Sequence, residues 1–167
     1  MKTALLIVDM QKVFLDKRKE NADVIGASEY INYVADKLRK AGHVIVHVKD
    51  VEGENEKNRD EYEFITSIAV KQSDLQVRKL KSNAFWETDL EEILRNNDVG
   101  LVIVSGFAAE NCVLFTYNGA SERNFRSVIL HNGVVGENPS AVIDIYRDRN
   151  IISYPVIEYI AENIAQG

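Results

Sequence analysis

The order of apolar and amphipathic segments predicts an α/β chain, a three-layer α/β/α sandwich around a central, mostly parallel six-stranded sheet. Three observations carry this expectation. Short apolar runs alternate with segments of helical period along the whole chain. The best runs are apolar without alternation, as strands covered on both faces are. No repeat, low-complexity stretch or Pro/Gly-rich linker interrupts the pattern, so residues 1–167 are expected to form a single domain.

Ala4 to Val8 is the first strand and, by its apolarity, a central one. Ile31, Val34, Ala35, Leu38 and Ala41 then recur at helical spacing, with Gly42 suited to a C-terminal cap. Val44 to Val48 is the second strand. A polar loop follows from Val51 to Asp60, then a short helix around Tyr62 to Val70. Leu75 to Leu80 is a weaker third strand, and Thr88 with Glu91 has capping-box spacing ahead of Leu90, Ile93 and Leu94. Leu101 to Val104 is the fourth strand, ending at Ser105-Gly106. A helix from Glu110 to Glu122 and a fifth strand at Val128 to Leu130 come next. Asn138-Pro139 suits a helix start, and a last strand at Ile151 to Tyr154 precedes a helix that Pro155 opens.

Composition excludes several functions. A net charge of −6, with no cluster of Lys and Arg, disfavours nucleic acid and anionic membranes. The apolar run of the first strand stops at Asp9, too soon for a signal peptide or a membrane span. One cysteine allows no intrachain disulfide, which fits a reducing cytoplasm. A small-molecule substrate is the expected partner.

Parallel sheets bind ligands beyond the carboxyl ends of their strands. Three reactive side chains stand there: Asp9 after the first strand, Lys79 at the third, and Cys112 opening the helix after the fourth. A thiol at a helix N-terminus beside a lysine is expected to be acidic, and a nearby carboxylate suits proton transfer. Each residue has an ordinary alternative. A lone cysteine is often a small core residue, an acid after a strand is often a turn residue, and a lysine is usually solvated. The small residues Gly106, Ala108 and Ala109 suit either close approach of a substrate carbonyl to the backbone or plain strand-to-helix packing.

Three segments resemble motifs of the isochorismatase-like cysteine hydrolases, relatives of nicotinamidase and N-carbamoylsarcosine amidase. Leu6-Ile7-Val8-Asp9-Met10-Gln11-Lys12-Val13-Phe14 resembles the opening motif. Lys79-Leu80-Lys81-Ser82-Asn83-Ala84-Phe85 resembles the lysine motif, and Val104-Ser105-Gly106-Phe107-Ala108-Ala109-Glu110-Asn111-Cys112-Val113 the nucleophile motif. The resemblance runs from Thr3 to about Tyr159. It implies the Rossmann-like fold of that family and a catalytic triad of Asp9 as general acid/base, Lys79 supporting the thiolate, and Cys112 as nucleophile. It also implies an oxyanion hole from the amides of Ala108 and Cys112, a cis peptide at Phe107–Ala108, and a homo-oligomer.

Two departures narrow the chemistry. The Asp-x-His motif of the zinc-containing nicotinamidases is missing from His47-Val48-Lys49-Asp50-Val51-Glu52, and His43, His47 and His131 lack ligand spacing. No metal and no cofactor is expected. Relatives that cleave the isochorismate ether lack the cysteine, so Cys112 points to an amide or related C–N bond. Phe14, Phe85, Trp86 and Phe107 are expected to line the pocket, although Trp86 fits a core or subunit interface equally well. Glu110 is either a substrate contact or a favourable acid in the first helical turn. The competing readings are a thiol-dependent redox or detoxification protein, disfavoured by the lack of a resolving cysteine, and a non-catalytic binding or assembly protein.

Overall fold

β1 (Lys2–Val8), β2 (Val44–Asp50), β3 (Leu75–Lys79), β4 (Val99–Phe107), β5 (Arg126–Val135) and β6 (Ile151–Ile152) form one sheet. Its order is β3-β2-β1-β4-β5-β6, and every pairing is parallel. The computed structural model describes residues 1–163. No helix among them is long and apolar enough to cross a membrane.

Both faces of the central strands are covered, which is why β1 and β4 lack a polar face. Ala4, Leu6 and Val8 of β1 join Val44, Val46 and Val48 of β2 in one apolar core. That core is closed by α3 (Leu90–Asn96), α4 (Leu114–Glu122) and α5 (Pro139–Asp148). Leu5 and Ile7 point the other way, onto Val24, Ala27, Ile31, Val34, Ala35 and Leu38 of α2 (Ala22–Lys40), which follows the short α1 (Lys12–Leu15), and onto Ile157 of α6 (Tyr154–Asn163). Helix α2 ends at Gly42, whose φ of +76° lets its amide and that of His43 bond back to Arg39 O and Leu38 O.

Three local expectations are corrected. Residues 63–74 form no helix; one tight turn at Arg59–Tyr62 precedes an irregular stretch. Helical bonding there loses to bonds with distant partners: Phe64 bridges to Gln11, Ile65 N donates to Met10 O, and Asn32 holds both Ser67 O and Ala69 N. The Thr88–Glu91 capping box is not made. Thr88 Oγ1 accepts from Leu90 N and donates to Ala84 O, while Glu91 turns to Arg95 and Arg123. The helix expected from Glu110 begins with an irregular wide turn, Ala109–Val113, and becomes regular only at Leu114.

The sheet order reverses between β1 and β4, so the chain leaves these neighbours in opposite directions and opens a crevice at their carboxyl ends. Gly106 is what lets the two strands meet there. It pairs with Val8, has a φ of +107°, and a Cβ on it would lie 2.1 Å from Val8 O. The small residue is therefore set by backbone packing. Gly106→Ala is expected to destabilise the protein by at least about 2 kcal/mol, since strain and collision add, as a chemical denaturation midpoint would show.

Candidate active site

Four neighbouring strand ends converge on one buried ammonium. Lys79, the last residue of β3, is 1% exposed. Its Nζ lies 2.8 Å from Asp9 Oδ2, 2.9 Å from Asp50 Oδ2 and 3.5 Å from Cys112 Sγ. Asp9 directly follows β1, Asp50 ends β2, and Cys112 lies in the turn between β4 and α4. The structure thus brings together all three residues expected to form the triad and adds a fourth, Asp50.

Asp9 sits in a sharp bend with a φ of +50° and is buried. Its amide donates to Val48 O, and its carbonyl accepts from Gln11 N. The Lys79 contact is ionic in geometry, and neither Asp9 oxygen accepts a well-aligned hydrogen bond among the described residues. Burial raises the Asp9 carboxyl to about 6, against the pull of Lys79. Burial opposes the charge on Lys79, yet Asp9 and the thiol beside it hold the amine above its ordinary range. At neutral pH the site therefore holds a carboxylate and an ammonium side by side.

The thiol departs from expectation. Burial and the adjacent Asp9 charge push Cys112 up to about 12, and Lys79 offsets them only partly. A helix start lowers a thiol's pKa where the thiol is solvated and faces no anion. Here the thiol is half-buried, faces a carboxylate, and lies within an irregular turn.

The turn itself is organised by Ala108 O, which accepts from both Asn111 N (3.0 Å) and Val113 N (3.1 Å). The Phe107–Ala108 peptide is cis, as the resemblance implies. Thr116 of α4 ties this turn to the lysine loop, since its Oγ1 accepts from Ala84 N.

The expected wall residues divide. The ring centroids of Phe14 and Phe107 are 5.9 Å apart, with Phe14 partly exposed. Phe85 is a correction: it is buried in the core, stacked on Phe125, with Arg123 over its ring. Trp86 is 55% exposed and shares an open cleft with Phe115, one helical turn beyond Cys112. Glu110 is a second correction. Its carboxylate accepts from the amides of Glu137 and Asn138 and braces the loop ahead of α5.

A domain model of the isochorismatase family matches residues 3–144. The chain belongs to the isochorismatase family. YrdC, an uncharacterized isochorismatase family protein of Bacillus subtilis, is 26% identical over 154 residues, covering 88% of this chain and 81% of its own. The N-carbamoylsarcosine amidase of Thermoplasma acidophilum is 26% identical, with a TM-score of 0.76 over 89% of this chain and 92% of that one. An isochorismatase-like hydrolase of Alkaliphilus metalliredigens shares the fold at a TM-score of 0.83, with 16% identity over 97% and 98% of the two chains.

A metal of the kind found in zinc-containing members of this family does not fit here. Donor atoms of Asp9, Asp50 and Cys112 lie within 4.8 Å of one another, but the Lys79 ammonium already stands among them. Among the described residues no histidine joins that group. His47 pairs with Asp74, His43 accepts from Thr3 N, and His131 packs on Tyr146.

The half-buried, carboxylate-facing thiol has a measurable consequence. Its rate of alkylation by iodoacetamide is expected to rise with pH without reaching a plateau by pH 9, since the thiolate forms only near 12. A plateau near pH 7 would mean a thiolate at rest.

Proposed function

We propose that this protein hydrolyses a small amide or related C–N bond through a thioester on Cys112. One observation carries the reading: a carboxylate and a thiol both lie against one buried ammonium, and the thiol is the member that solvent reaches. That is the geometry of a nucleophile with a base beside it. The amidase activity in the name of the Thermoplasma relative points the same way.

The steps follow from proton positions. Asp9, ionised above about pH 6, takes the Cys112 proton as the sulfur attacks the substrate carbonyl carbon. The carbonyl π electrons move to oxygen, and the amides of Ala108 and Cys112 receive that oxyanion. Lys79 balances the negative charge that grows beside it. Collapse of the intermediate breaks the C–N bond, and protonated Asp9 gives its proton to the leaving ammonia or amine. Asp9 then takes a proton from water, which attacks the thioester and releases the acid, and the thiol regains its proton. Phe14 and Phe107 are proposed to wall the acyl group and Trp86 to border the entrance.

The protein is also proposed to be cytoplasmic and to act as a homo-oligomer. The exposed aromatic rings of Trp86 and Phe115 support the latter; a monomeric mass by light scattering would contradict it.

The decisive experiment measures ammonia release from a panel of small primary amides and N-carbamoyl compounds. The wild type is expected to turn over at least one, and Cys112→Ala none, with an unchanged circular dichroism spectrum. For that substrate, kcat/KM should rise through about pH 6 as Asp9 loses its proton. Equal activity in Cys112→Ala would overturn the mechanism.

A further inference from the structure

Asp50 has no role in the steps above, yet it is the second carboxylate on Lys79. It is placed with unusual care. The Gln11 side chain, fully buried, clamps the backbone of Asp50 from both sides: Nε2 donates to Asp50 O at 2.9 Å and Oε1 accepts from Asp50 N at 2.8 Å. The same Nε2 donates to Tyr62 O at 2.7 Å, which ties the clamp to the loop over β2. Glu52 N then donates to Asp50 Oδ1 at 2.9 Å, leaving Oδ2 for Lys79. Register supplies the rest, because Asp50 and Lys79 are direct partners across β2 and β3.

The charges in contact here are few. Asp9, Asp50 and Lys79 come from the ends of β1, β2 and β3. Glu110, close in sequence to the thiol, is turned away onto the amides of Glu137 and Asn138. Two carboxylates and one ammonium leave the cluster with one net negative charge while the thiol is neutral. A thiolate would bring it to two, beside the buried Asp9 and Lys79 side chains where charges are poorly screened.

We infer that Asp50 is a positioning residue that shares the Lys79 ammonium with Asp9, holding it nearer the two carboxylates than the sulfur, so that Cys112 keeps its proton until a substrate arrives. This rests on the reading of Cys112 as the nucleophile. Gln11 acts one step further out, by fixing Asp50. The device suits a lone, solvent-reachable thiol: it stays protected from electrophiles and oxidants while its base waits beside it.

The test is the pH dependence of Cys112 alkylation by iodoacetamide in wild type, Asp50→Asn and Asp50→Glu. Asn retains an oxygen for Lys79 but removes the charge, so alkylation at pH 8 should be roughly tenfold faster than in wild type, equivalent to a thiol lowered by about one unit. Asp50→Glu, which keeps the charge, should stay near the wild-type curve. A purely structural role predicts no shift in the pH curve of folded Asp50→Asn, and that result would overturn the inference. Should Asp50→Asn fail to fold, Asp50→Ser makes the same comparison. Because alkylation needs no substrate, faster alkylation in a protein that cleaves no amide would sustain this inference and sink the proposed function. Amide turnover with an unmoved alkylation curve would do the reverse.

Discussion

One buried ammonium fixes the arrangement of everything around it. A charge at full burial costs several kcal/mol unless it is paired, and Lys79 is paired twice, by carboxylates 2.8 and 2.9 Å away. Those carboxylates end two different strands, and the thiol follows a third. The sheet order β3-β2-β1-β4 sets these four strand ends side by side. The site is thus a property of topology. No single segment contains it, and the sheet that assembles it is itself pinned there by charge.

This arrangement divides the chemistry in time. A thiolate preformed beside a lysine reacts with any electrophile that reaches it. Here burial and the Asp9 carboxylate keep the proton on sulfur, and in the proposed mechanism Asp9, raised to about 6 by its own burial, takes that proton only as the carbon–sulfur bond forms. Among the described residues Asp9 meets no well-aligned donor. In the proposed mechanism its oxygens exchange protons with thiol, leaving group and water in turn.

Much of this was legible in the chain. The layered fold follows from apolar runs without alternation; Asp9 was visible because it closes such a run, and Lys79 because it ends the weaker third strand. The missed features depend on register and on paired burial. Asp50 carries no sign of its own: in sequence it is the first residue of an incomplete metal motif, and only its cross-strand pairing with Lys79 shows its use. Gln11 looks like an ordinary motif residue until its amide is seen bridging Asp50 and Tyr62. The acidity expected for Cys112 came from the helix start and the nearby Lys79, and left out the charge of the Asp9 carboxylate and the loss of water. Phe85 reads in sequence as a wall residue, but its neighbour Trp86 faces solvent while Phe85 fills the core against Phe125. The expected helix at 62–70 gave way to contacts with Gln11, Met10 and Asn32, none of them nearby in sequence.

The claim that Lys79 organises fold and site together is tested most directly by the stability of Lys79→Met, measured by chemical denaturation at pH 7. Methionine nearly matches the lysine stem in volume, so packing changes little, but two buried carboxylates are left facing each other. The account predicts a loss on the order of 3–5 kcal/mol, the range for breaking a buried ion pair from one side. A loss below about 1 kcal/mol would mean that the cluster is not held by this charge, and the account would fail at its centre.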